Sequence, residues 1–146
     1  MENSRLLLKR LSYLVLFLTS LSAIRLIVDV FMLDFNPTDL PEGTTKGMLI
    51  AAQVIVIVLG LILLLPEVFV GVRGIKISKN PDSGKGHIVW SKVIIVLSAI
   101  AIIAPVSGLI KGESIATNVL EAIDLLCDVA VFYLYIRAAK QVAAEA

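Results

Sequence analysis

The chain of 146 residues is 58% hydrophobic and only 17% charged, with a mean hydropathy of +0.95 and a net charge of +1. An ordinary soluble domain is nearer a quarter charged, and a net charge this close to zero argues against a nucleic-acid partner. The single Cys127 excludes an intrachain disulfide and is expected to fill space in a helix.

The apolar residues fall in four runs. The first covers residues 11–33 and is interrupted by Arg25 and Asp29. It follows Arg5, Lys9 and Arg10, as the apolar core of a signal peptide would. Its apolar character nevertheless continues past Ser20, Ser22 and Ala23 through Ile24, Leu26, Ile27 and Val28, which predicts a retained helix. Residues 34–43 are acidic and turn-rich and predict a solvated loop. The second run, 47–65, is the cleanest, with Gln53 its one polar residue, and its helix is predicted to continue through Pro66 and Glu67 to Ser78. The stretch from Asn80-Pro81 to Gly84-Lys85-Gly86 stops that helix and reverses the chain. The third run covers 88–110, with Lys92 near its start and Pro105 near its end. After the tight connection 111–114, with Ser114 as the expected cap, the fourth covers 115–137.

Each run reaches the roughly 20 residues needed to cross a hydrocarbon layer. Short connections favour antiparallel neighbours. The fold class expected is therefore an all-α integral membrane protein: one domain over 1–146, with four transmembrane helices (11–33, 47–78, 88–110, 115–137) in an up-down antiparallel bundle. Basic residues set the orientation. The first, third and fifth segments outside the runs hold Arg5, Lys9, Arg10, Arg73, Lys76, Lys79, Lys85, Arg137 and Lys140, against Lys46 and Lys111 in the other two. The positive-inside rule then places both termini in the cytoplasm, and the plasma membrane is the expected location.

The charges within the runs are ordered. At 100° per residue, Ser114, Thr117, Glu121, Asp124, Asp128 and Tyr135 share one stripe of the fourth helix. Gln53, Gly60, Glu67, Gly71, Gly74 and Ser78 share another on the second, and small residues there let helices approach closely. Ser22, Arg25 and Asp29 cluster on the first helix; Ser91, Ser98 and Pro105 share a face of the third, with Lys92 away from it and expected to snorkel. By depth, Arg25 sits near the level of Asp29, Glu121, Asp124 and Asp128, while Glu67 lies toward the cytoplasmic side. One cation against five carboxylates leaves four negative charges to be relieved by protonation, a bound cation, water or a partner.

Two readings follow. In the first, Arg25, Asp29 and Asp124 form a buried ionic clamp within a structural or accessory membrane subunit, and Glu121 and Asp128 are solvated or covered by a homo-oligomer or a membrane partner protein. In the second, Glu121, Asp124 and Asp128 line a cation or proton pathway tuned by Arg25, with Glu67 beside Pro66 as its inner station. The expected partners are the lipid bilayer, a second copy or a membrane protein, and in the second reading a cation or proton. The chain has neither a nucleophile–base arrangement nor a metal-ligand spacing, so no enzyme activity, cofactor or metal is expected. Ser83-Gly84-Lys85-Gly86 lacks the upstream Gly and the following Ser or Thr of a phosphate-binding loop. His87 opens the third helix with the interfacial Trp90 one turn on, and Arg73, Lys76 and Lys79 are expected to attract anionic headgroups.

The stretch Gly71-Val72-Arg73-Gly74-Ile75-Lys76, then Asn80-Pro81-Asp82 and Lys85-Gly86-His87-Ile88-Val89-Trp90, resembles a pattern in small bacterial four-span membrane proteins. There a glycine-containing helix end, an Asn-Pro turn and a basic-hydrophobic restart recur. The resemblance covers the middle third of the chain and implies the architecture, with no activity attached.

Overall fold

The structure, a computed structural model, describes residues 2–32, 43–81, 84–112 and 114–144. It is all-helical, with no strand among the described residues: α1 (Glu2–Phe31), α2 (Lys46–Lys79), α3 (Gly86–Ala101), α4 (Ile103–Ile110) and α5 (Ile115–Ala143). Three stretches are long and apolar enough to cross a membrane: Asn3–Phe31, Lys46–Lys79, and Gly86–Ile110, which joins α3 and α4. With 29 residues α5 has the length of a span, but any 18-residue stretch of it holds at least three of Glu121, Asp124, Asp128, Arg137 and Lys140. The predicted end of the first helix at Leu33 and most of the 34–43 loop lie outside the described residues.

Two helices outrun their predicted bounds for one reason. In α1, Leu8, Leu11 and Val15 are buried at helical spacing, so the packed face begins before the apolar run does. In α5, Ala138, Ala139 and Val142 continue the buried face of Phe132, Tyr135 and Ile136 to the helix end. The third predicted helix is divided at Ile102. Pro105 has no amide N–H for the carbonyl of Ala101, and the helix breaks one turn upstream of it. Gly112, at φ +75°, closes α4 in the left-handed conformation, with its N–H donating to Leu109 O at 3.2 Å. Thr45 caps α2, its Oγ1 accepting from Met48 N at 3.3 Å. Ser114 holds the N-cap position of α5, but its hydroxyl bonds to the Thr117 hydroxyl at 3.1 Å and caps no backbone N–H.

The chain divides into two compact units, one of Met1–Leu16 with Pro66–Ala146, the other of Phe17–Leu65. The boundary in α2 falls at Pro66, which withdraws one hydrogen bond from that helix. In the first unit the core joins Leu8, Leu11 and Val15 of α1, Val70 and Ile77 of α2, Ile88 and Ile94 of α3, and Phe132 to Val142 of α5. The small-residue stripe of α2 packs here. A Cβ on Gly71 would meet Leu16, and one on Gly74 would meet Ser12 and Tyr135. In α3 and α4, the predicted face of Ser91, Ser98 and Pro105 is buried. The second unit is a helical pair in which Gly60 lies against Leu26 and Gln53 Nε2 donates to Val30 O at 3.1 Å.

Candidate functional site

The acidic stripe of α5 changes environment along its length. Tyr135 is fully buried, Asp128 is half-buried, and Asp124 and Glu121 are exposed. Within the first unit, α3 and α4 pack along α5. At 1.5 Å per residue, Asp128 lies about 10 Å, Asp124 about 16 Å and Glu121 about 21 Å along the axis from Tyr135.

Glu67 is placed by the same arithmetic, about 10 Å along α2 from Gly74. Gly74 touches Tyr135, so Glu67 and Asp128 stand at one level. Asp128 is within electrostatic reach of both Glu67 and Asp124, which brings three carboxylates from two helices into one group. Sequence reasoning set Glu67 apart at the inner side; the signal that joins it to α5 is the shared offset of seven residues from Gly74 and Tyr135.

Arg25 and Asp29 belong to the second unit and form an i,i+4 ion pair, Nε to Oδ2 at 3.4 Å, with side chains 46% and 65% exposed. In water such a pair contributes about 0–1 kcal/mol; in hydrocarbon its value lies in neutralising both charges at once. Lys92 is exposed on α3, as a snorkelling lysine requires.

A second polar cluster was not legible as such. Tyr135 Oη donates to Val70 O at 2.9 Å, Ser12 Oγ donates to Leu8 O at 2.7 Å beside Gly74, and His87, 1% exposed, meets the Tyr135 ring edge-on with centroids 5.9 Å apart. Four helices thereby meet in one layer. The sequence places His87 at a helix start and Tyr135 on the acidic stripe, but nothing in their spacing announces that they touch. An open apolar hollow of about 210 Å³ on α2, lined by Val58, Leu61, Ile62 and Leu65, offers no polar group. Among the described residues, no group of three His, Cys, Asp or Glu side chains has the geometry to hold a metal ion. Comparison with protein families, characterised proteins and solved structures finds no match to this chain.

Proposed function

We propose that the chain is a multi-pass protein of the cell membrane that serves as a structural or accessory subunit of a larger membrane assembly. In this reading α5 is a fourth span beside the three apolar ones, the helices alternate in direction, and both termini are cytoplasmic. The resemblance of the middle third to small four-span proteins supports the same architecture. The observation that carries the accessory role is the outer half of α5, where Glu121 is exposed and no residue before Phe132 is buried among those described. A charge left at mid-bilayer costs about 2.5–3.5 kcal/mol on insertion scales. A second copy or a partner helix over this half of α5 removes that cost.

The grouping of Glu67, Asp124 and Asp128 favours a second reading, a cation- or proton-conducting channel or small transporter. Three carboxylates on two helices are parts such a pathway uses. One preparation separates the two. The purified chain and its Asp124→Asn variant are reconstituted in liposomes with pH- and potential-sensitive dyes, and their assembly state in native membrane extracts is measured. The accessory reading expects no flux from either protein and an assembly larger than one chain that Asp124→Asn weakens. Flux by the wild type that Asp124→Asn abolishes establishes the pathway; monomers with no flux refute both.

A further inference from the structure

The layer of Ser12, Gly74, His87 and Tyr135 fixes the relative heights of α1, α2, α3 and α5 at one end of the first unit. Two sets of side chains are registered against it. Tyr13, Trp90 and Tyr133 are 52%, 45% and 62% exposed, and each stands within three residues of its helix's layer member. With Tyr135 they are every Trp and Tyr in the chain, gathered at one height on three helices. Such a belt marks a membrane–water boundary, where an amphipathic ring keeps one edge wet.

Beyond the belt, within five residues of the layer, stand Arg10 on α1, Lys76 and Lys79 on α2, Lys85 before α3, and Arg137 and Lys140 on α5, all six exposed. Five residues of helix rise about 8 Å, the depth of a headgroup layer rather than of hydrocarbon. The described segments 3–12, 74–81, 84–88 and 135–144 contain no Asp or Glu. In sequence, Glu2, Asp82 and Glu145 adjoin them, three acids against these six cations.

We propose that this end of the bundle is a collar for acidic phospholipids. Six cations, five on three helices and Lys85 at the start of the fourth, α3, face the headgroup layer of the adjoining leaflet and hold lipid phosphates between neighbouring helix ends. The cations match the phosphates in charge, and the aromatic belt sets them at phosphate height. The collar presupposes the membrane placement proposed above and adds a lipid class to it.

The test uses the full chain with phosphatidylglycerol and phosphatidylcholine as probes, counting bound lipids by native mass spectrometry from mixed micelles. Two variants, Lys76→Gln with Lys79→Gln and Arg137→Gln with Lys140→Gln, act on separate helices, so a folding defect in one leaves the other informative. Each lost cation is expected to weaken phosphatidylglycerol binding about fivefold, and each pair about 25-fold, with phosphatidylcholine unchanged. Millimolar inorganic phosphate should not displace the lipid; displacement would show a free-anion site and overturn the collar. Equal binding of the two lipids, or a preference unchanged in both variants, also overturns it. Carbonate-resistant incorporation into pure phosphatidylcholine vesicles reports on membrane residence separately, so failure of the collar is distinguishable from failure of the placement.

Discussion

Replacing Gly74 by Ala tests the packing of the four-helix layer most directly. A Cβ at this position falls against Ser12 Oγ and lies 2.6 Å from Tyr135 Oη and 2.7 Å from its Cε2. Neither neighbour yields easily: Ser12 Oγ is bonded to Leu8 O, and Tyr135 is held by Val70 O and the edge of His87. Overpacking of this kind costs about 1–3 kcal/mol. Pushing the tyrosine aside costs about 1 kcal/mol more in its hydrogen bond, while Ala in place of Gly returns about 1 kcal/mol of helix propensity. The net expectation is a loss of about 2 kcal/mol by those same terms, read by denaturant or thermal unfolding in detergent. Adding Ser12→Ala removes the atom nearest the new methyl, so the double variant should recover about 1 kcal/mol of that loss. Gly86→Ala, where a Cβ meets nothing within 4 Å, is the control and should be neutral or stabilising. A Gly74→Ala variant as stable as the wild type, or strict additivity with Ser12→Ala, would refute the layer.

Three further expectations can be checked in the same preparations. Gln53→Leu deletes the bond to Val30 O in the helical pair and should destabilise by about 0.6 kcal/mol, the average for interhelical bonds in lipid, with no gain in stability tolerated by the reasoning. Gly112→Ala forces a side chain into φ +75° and should cost about 1–2 kcal/mol, whereas Gly112→Asn should cost less. Cys127 is exposed on α5 one residue before Asp128, so in proteoliposomes a lipid-soluble maleimide should label it and a membrane-impermeant one should not; rapid labelling by the impermeant reagent would remove α5 from the bilayer.

Helix positions and packed faces were largely legible because they rest on local periodicity. The Gly71, Gly74 and Ser78 end of the α2 stripe and the Ser91–Ser98–Pro105 face follow from 3.6 residues per turn, and both are buried as read. Helix ends were legible only where a local signal stops the chain. Asn80-Pro81 ends α2 within a residue of its predicted limit, while α1 begins at Glu2 because burial of Leu8 depends on other helices. The candidate site was legible as a set of charges, and Arg25 pairs with Asp29 one turn away on its own helix, on the face that the helical period assigns to both. Asp128 comes within electrostatic reach of Glu67, and Tyr135 packs on Gly74, proximities that no window along the chain contains.

That contact also has a consequence for biogenesis. Ser12 and Tyr135 are 123 residues apart, yet both close on Gly74. At translation rates of about 5–20 residues per second, Ser12 and Gly74 can be in place for seconds before Tyr135 leaves the ribosome. Until then the polar face of the first helix and the glycine cleft of the second have no lid, and nothing distinguishes the finished arrangement from a looser pair of spans. Of the five helices, the one made after the others locks the first, so quality control of this fold depends on Tyr135 and the buried face of α5 rather than on the most hydrophobic spans.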